Sequence, residues 1–332
     1  MFFFLILIFL NFVTFLSFSK LAKKLNIFDI PDKKRKLHNK PIASIGGIFI
    51  LNALIISVIY IYVQTNPLFP GFKNLISFLF TGLIIFFIGV IDDKFSVRPN
   101  IKLGILFFII LVLMLINENL IIKELNFSFS NEKIYLENFD VLFTVLCILL
   151  FINAFNMLDG INLVAGIYSL LLFLFLYLIS NNEFYIFFLA SLPFFLVKNF
   201  KNKSFLGNSG SLLLGFILAV SFIRSYQISD VTYSDKIFLL MSIPGLDMLR
   251  LFVLRIIKGK NPFEADRSHL HHLLLSKFSN FFAILIFLVL FLIPIFVSYY
   301  TVNLLIPNIL SIFLYGSTIY FLTKLNEKNF KH

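Results

Sequence analysis

The chain has no tryptophan, one cysteine and little charge. Of its 332 residues, 14% are Asp, Glu, Lys or Arg, about half the share a soluble domain carries. That scarcity excludes a fully water-facing surface. Without tryptophan, tyrosine and lysine must anchor helix ends at a membrane interface. Cys147 has no second cysteine to pair with and lies in an apolar run, so cysteine usage says nothing about redox compartment. Acidic residues are also sparse, 17 against 28 basic, for a net charge of +11. A basic excess can mark a nucleic-acid partner. In a chain this apolar it belongs to cytoplasmic loops instead, and no nucleic-acid partner is expected.

Hydrophobic residues make up 59% of the chain, with 47 phenylalanines. They gather in eleven apolar segments: 1–19, 44–63, 74–91, 101–116, 141–157, 161–180, 184–198, 209–225, 236–257, 281–300 and 304–323. Segments of this length read as an all-α polytopic membrane protein with about eleven transmembrane helices. The first segment lacks a basic start and a small-residue cleavage site, so it reads as a spanning helix rather than a signal peptide. Asp247, Arg250 and Arg255 interrupt the ninth, with Pro244 and Gly245 just before them, which predicts a broken or interfacial helix there. No fixed-period repeat or low-complexity linker divides the chain. Counted by loop parity, 23 Lys and Arg fall on one side and five on the other. This predicts an external N-terminus and a cytoplasmic C-terminus. The polar stretches with chemical potential all fall on the basic side, while the opposite loops read as spacers.

Four stretches stand out. "IDDK" ends an apolar helix with Asp92 and Asp93, adjacent carboxylates that suit a general base or a magnesium holder. "NAFNMLDG" places Asn153, Asn156 and Asp159 at i, i+3 and i+6, one polar stripe on a helix. Unpartnered amides and a carboxylate there would cost several kcal/mol, so the stripe either joins helices or binds a ligand. "FLGNSGS" precedes an apolar helix, and its backbone N–H groups could face an anion or form an ordinary turn with Asn208 or Ser209 as a cap. The last stretch runs from Asp247, Arg250 and Arg255 to Asp266, Arg267, His269, His271 and His272. A lone histidine there would be structural. Three beside an Asp-Arg pair point to phosphate or metal binding, and a hard cation suits these acidic motifs better than zinc.

Taken in order, and with "PDKKRKLHNKP…GG" (His38, Gly46, Gly47), these motifs resemble the polyprenyl-phosphate N-acetylhexosamine-1-phosphate transferase family over residues 29 to 275 or so. This is the glycosyltransferase family 4 group. "HLHHLL" is similar to its undecaprenyl-phosphate GlcNAc-1-phosphate transferase branch, rather than to the cell-wall muramyl-pentapeptide branch. The resemblance implies one integral membrane transferase domain over 1–332 in a bacterial inner membrane, with its active site on the cytoplasmic face. It implies transfer of a sugar-1-phosphate from a UDP-N-acetyl sugar to undecaprenyl phosphate, release of UMP, a Mg²⁺ cofactor replaceable by Mn²⁺, and a place at the first membrane step of a surface glycan such as the O-antigen of lipopolysaccharide. A homodimer is a further expectation.

The same resemblance assigns Asp92, Asp93, Asp159 and His269 to catalysis, and Asp92, Asp93, Asp159 and Asn208 to the metal. It assigns Asn153, Asn156, Asn199, Phe205, Asp247, Arg255, Arg267, His271 and His272 to substrate, with the histidines as diphosphate ligands. Three departures from the family pattern stand out. Asn208 stands where the family has a metal-binding Asp, Leu163 where many members have Gly, and Ala43-Ser44 where Pro-Arg is common. The change at 208 keeps two other readings open, a non-catalytic paralogue and a lipid-linked transporter. A transporter would carry polar residues through to the far side, and here they stop at one face.

Overall fold

A computed structural model describes residues 1–30, 41–64, 72–261 and 268–329, with the side chains of 72 and 325–329 left aside. His38, Asp266 and Arg267 lie outside the described residues. The described chain is helical almost throughout, because in a bilayer a backbone must satisfy its own N–H and C=O groups. The helices are α1 (Phe2–Leu25), α2 (Gly47–Gln64), α3 (Phe72–Phe95), α4 (Pro99–Ile116), α5 (Asp140–Leu158), α6 (Val164–Ser180), α7 (Phe184–Phe200), α8 (Gly207–Gln227), α9 (Ser234–Leu240), α10 (Ser242–Ile257), α11 (Leu270–Leu275), α12 (Asn280–Ser298) and α13 (Leu305–Asn329).

Every expected apolar segment is helical. Among the described residues, eight helices are long and apolar enough to cross a membrane, and α9 with α10 would make a ninth. Helices α6 and α7, at 17 residues each, are shorter. The expected break in the ninth segment is present as a 79° bend between α9 and α10. It falls at Met241 because Pro244 then occupies the first turn of α10, where no intrahelical N–H is required. Helix α1 runs past the expected end at 19, through Lys20–Lys24, to a left-handed Asn26.

The chain packs as two compact units. The first holds Met1–Ile122 and Asn138–Asp230, helices α1–α8. Its centre is α8. This helix has the lowest mean hydropathy of the eight, 1.4, yet 89% of its span is buried, so protein rather than lipid surrounds it. Small residues allow this. A Cβ on Gly89 of α3 would lie 2.3 Å from Ser209 Cα, and one on Gly47 of α2 would lie 2.6 Å from Gly210 Cα. Helices α1, α2 and α7 are joined by a buried polar set in which Asn11 donates to Ser191 Oγ (2.7 Å) and Asn52 donates to Asn11 Oδ1 (3.0 Å), the usual glue between apolar helices. A short antiparallel pair, Phe28–Asp29 with Ile42–Ala43, precedes α2.

The second unit holds Lys123–Glu137 and Val231–His332. A two-residue hairpin, Glu124–Leu125 with Ile134–Tyr135, is tied to α9 by Asp235, which accepts the Ser128 hydroxyl at 2.5 Å. Helix α10 packs on α12 and α13, and Ser311 donates to Ser242 Oγ at 2.7 Å.

The glycine crossing yields a paired expectation. Gly89→Ala should destabilise the protein by about 1–3 kcal/mol or more, since the new methyl meets backbone that cannot move aside. Gly104→Ala has open space around it and should be neutral or gain about 0.5–1 kcal/mol of helix propensity. Thermal unfolding of both variants in detergent checks this, and equal midpoints would refute the close approach.

Candidate functional site

The crossing of α3 on α8 carries the last turn of α3 to the first turn of α8. There Asp93 accepts the N–H of Asn208 (2.8 Å) and of Ser209 (3.1 Å). A carboxylate on the free amides of a helix N-terminus is a favourable placement for negative charge. Gly207 is required twice over. Its φ is +75°, and a Cβ would sit 2.7 Å from Asp93 Oδ2. The glycine loop therefore already holds a resident anion, which corrects the reading that its amides are free to face a ligand.

Asp92 and Asp93 do not act as a matched pair. Asp92 is buried and turned to the start of α4, where it accepts the Val97 N–H (2.8 Å) and pairs with Lys102 Nζ (2.8 Å). The two carboxylates have separate partners, yet burial, against the two amides, and then the Asp92 charge still push the Asp93 carboxyl up to about 6. Lys102 escaped the sequence reading because it counted only as one more cytoplasmic base.

The stripe on α5 reaches the same region from the other side of α8. Asn156 Oδ1 accepts the Ser211 hydroxyl at 2.5 Å, and Asp159 caps the helix C-terminus. Asp159 is half-buried, and the loss of hydration there, followed by the nearby Asp93 charge, pushes its carboxyl up to about 7. Asp93 and Asp159 thus share one electrostatic field. Asn153 is half-buried on the same helix. Among the described residues, no three Asp, Glu, His or Cys side chains gather into a metal-holding group. The donors at hand are two mutually repelling carboxylates with the amides of Asn156 and Asn208 near them in the fold. That oxygen set suits a hard divalent cation, whose charge would relieve the repulsion.

Asn199 is buried and fully engaged. It accepts the Leu163 N–H (2.5 Å) and donates to Ser204 O (2.7 Å) and Asn162 Oδ1 (3.2 Å). It therefore stitches the loop after Asp159 to the loop before α8, and this use of its amide competes with the direct substrate contact expected of it. Leu163 has φ +74°, a left-handed backbone that glycine adopts without strain and leucine does not. The departure from glycine at this position thus strains the backbone, and the Asn199 bond holds it. Phe205 has a half-exposed ring, while its backbone binds Ala43 O (2.9 Å) and the Gly46 N–H (3.1 Å).

In the second unit the histidine stretch is organised by one buried carboxylate. Asp247 accepts the Leu270 N–H (3.0 Å), Arg250 Nη2 (2.9 Å) and the Tyr315 hydroxyl (2.8 Å) on Oδ1. Its Oδ2 lies 2.9 Å from His269 Nδ1. Arg250 Nε donates to Tyr315 Oη (2.7 Å), and its Nη2 donates to Ser268 O (2.5 Å). The rings of His269 and His271 lie nearly parallel with centroids 5.3 Å apart, and His272 is 4.2 Å from His271. Burial, followed by the charges of His272 and His269, lowers His271 to about 3. His271 is thereby disfavoured as a cation, and its neutral ring can offer an N–H to a diphosphate. Arg255 is buried in the last turn of α10. Tyr315 carries no sequence signal, being one tyrosine in an apolar helix.

The shift at Asp159 predicts a pH dependence. The metal-free folded chain keeps this proton up to about pH 7, whereas an unfolded carboxyl releases it near 3.8. The stabilisation is complete below 3.8 and falls as pH rises towards 7. In chelator-treated protein the thermal midpoint should decline over that window, and Asp159→Asn should flatten the decline. An unchanged slope would assign it elsewhere.

The sequence profile of glycosyl transferase family 4 matches residues 75–226, which include both aspartates, the α5 stripe and the glycine loop. The undecaprenyl-phosphate alpha-N-acetylglucosaminyl 1-phosphate transferase of Thermotoga maritima is 30% identical over 269 residues, covering 81% of this chain and 79% of that protein. Proteins of the same name from Escherichia coli K12 and Yersinia pestis are each 29% identical, over 82% of this chain and 75% and 76% of their own lengths. A relative at this identity over about four fifths of both chains means that the chain belongs to glycosyl transferase family 4, the polyprenyl-phosphate sugar-1-phosphate transferases that its sequence resembles.

Proposed function

We propose that this multi-pass membrane protein transfers an N-acetylhexosamine-1-phosphate, GlcNAc-1-phosphate first among candidates, from its UDP derivative to undecaprenyl phosphate on the cytoplasmic face of a bacterial inner membrane. The observation that carries the reading is Asp93 seated on the amides of α8, within the field of Asp159. The basic loops support an external N-terminus and a cytoplasmic C-terminus, with all eleven segments crossing, α9 and α10 as one bent span. The product would enter synthesis of a surface glycan.

In this reading an acceptor phosphate oxygen attacks the sugar-bearing phosphorus of the donor. The bond from that phosphorus to the bridging oxygen breaks, and UMP leaves with the electron pair. Both reactants are anionic, so catalysis rests on charge neutralisation and alignment. Asp93, Asp159 and the side-chain oxygens of Asn156 and Asn208 would hold Mg²⁺, which supplies positive charge to the diphosphate when bound. Lys102 pairs with Asp92 and offers an ammonium to a phosphate. Phe205 offers a half-exposed ring to a base. Asn199 orders the loop beneath it. His269, with Asp247 behind it, would accept a proton at Nε2, and Arg255 and His272 would meet substrate anions, as the resemblance implies.

Incubation with a panel of UDP-sugars and mass analysis of the lipid product tests the reading. The expected product is undecaprenyl diphosphate bearing one N-acetylhexosamine. No lipid-linked sugar with any donor would end the proposal. Asp93→Asn should cut UMP release by at least about 10²-fold, the scale of a lost metal-site carboxylate. A near-normal rate in the folded variant would remove Asp93 from the reaction.

Asn208 decides between a working enzyme and a non-catalytic paralogue. An amide oxygen ligates Mg²⁺ more weakly than a carboxylate. Asn208→Asp should therefore lower the Mg²⁺ concentration for half-maximal UMP release by about tenfold, or about 1.4 kcal/mol, without changing donor choice. Activity confined to the Asp variant would favour the paralogue, and no shift would show that position 208 does not touch the metal.

A further inference from the structure

Asp247 is a buried carboxylate with four partners drawn from three parts of the second unit. Arg250 is one turn along its own helix. Leu270 N–H and His269 come from the α11 start, and Tyr315 comes from α13, 68 residues away in sequence. The arrangement has a direction. An ionised carboxylate only accepts, so the nitrogen 2.9 Å from Oδ2, His269 Nδ1, must carry a hydrogen. In the neutral ring this leaves the lone pair on Nε2. Arg250 already balances the Asp247 charge at 2.9 Å, so the carboxylate needs no second cation and can serve as acceptor to a neutral imidazole.

Tyr315 holds this arrangement in place. Its oxygen accepts Arg250 Nε at 2.7 Å, and its hydrogen goes to Asp247 Oδ1 at 2.8 Å. It therefore links the base of the network to its acid, and it is the one member contributed by α13. Removing the hydroxyl would leave a buried guanidinium N–H and a carboxylate oxygen each short of one bond, and the carboxylate would be free to turn. Packing alone does not require a hydroxyl at this depth. Ser311 already joins α13 to α10 through Ser242 at 2.7 Å.

We propose that Tyr315 is a positioning residue for the transfer reaction: it locks the Asp247 carboxylate so that His269 is held as the Nδ1–H tautomer with Nε2 as its basic nitrogen. The proposal rests on the assignment of His269 to catalysis, in which a bare Nε2 takes a proton from a reacting group rather than binding the diphosphate. An imidazole fixed in one tautomer and one orientation presents one defined nitrogen to a reactant, which raises turnover rather than affinity.

The test is Tyr315→Phe in the full-length protein in nanodiscs, with ring-¹⁵N histidine and steady-state UMP release. The His269 resonances are identified by their loss in His269→Asn. In the parent protein, His269 should show a protonated Nδ1 and an unprotonated Nε2. In Tyr315→Phe the two nitrogens should move towards a mixed tautomer, kcat should fall by about tenfold, and KM should stay within about twofold. Ser311→Ala, which cuts the other hydrogen bond between α13 and α10, should change neither. An unchanged tautomer in Tyr315→Phe would overturn the proposal whatever the rate does, and so would an equal response in Ser311→Ala. If the Phe variant does not fold, 3,5-difluorotyrosine at 315 perturbs the same hydroxyl without removing it. The His269 resonances must then shift, and their failure to do so has the same overturning force. Because the tautomer is read without turnover, a chain that transfers no sugar would sink the functional assignment and leave this arm readable.

Discussion

The close approach of α3 to α8 at Gly89 and Ser209 governs the first unit. It brings a carboxylate to the free amides of a buried helix. The arrangement is self-consistent only if several glycines coincide. Gly89 lets the backbones meet, Gly207 supplies a left-handed turn with room for the Asp93 oxygen, and Gly47 admits α2 beside Gly210. With a side chain at any of the three, the amides of 208 and 209 and the carboxylate of 93 would separate. An ionised group out of water and without those bonds would be expensive. The burial of α8 follows from the same constraint, since a helix this small-sided and hydroxyl-rich is better solvated by protein than by lipid.

The electrostatics of the two units have a common form. Each contains one carboxylate satisfied chiefly by N–H donors, Asp93 by backbone amides and Asp247 by an amide, a guanidinium and an imidazole, with a hydroxyl completing the latter. Each leaves a neighbour uncompensated. In the first unit it is Asp159, pushed up to about 7. In the second it is His271, pushed down to about 3. A site that handles anions through a cation has reason to keep a carboxylate short of positive charge. In the second unit burial disfavours a charge on His271, while Arg250 keeps a positive charge beside Asp247.

Burial and hydrogen bonding give Asn199 and Asp92 a part in holding the frame. Asn199 has its amide hydrogens and carbonyl oxygen committed to two loops, and it restrains Leu163 in a backbone conformation that leucine resists. Asp92 has its oxygens committed to Lys102 and Val97. Such residues matter to a reaction by keeping others still, and a substitution there disturbs geometry before it disturbs chemistry.

The sequence by itself determined the class of the protein, the helical segments and the break before Pro244. These follow from local hydropathy and from missing N–H groups, which are properties of neighbouring residues. It also determined which side chains were worth attention, because a polar residue inside an apolar run needs a partner wherever it ends up. The partners were a tertiary decision. Nothing in "IDDK" distinguishes an Asp92 turned to Lys102 from an Asp93 seated on α8, and the two differ because α3 packs on both α4 and α8. Tyr315 was illegible for the same reason. Its hydroxyl meets Asp247 across 68 residues of sequence, and hydrogen-bond partners at that separation are fixed by how helices pack, not by any pattern along the chain.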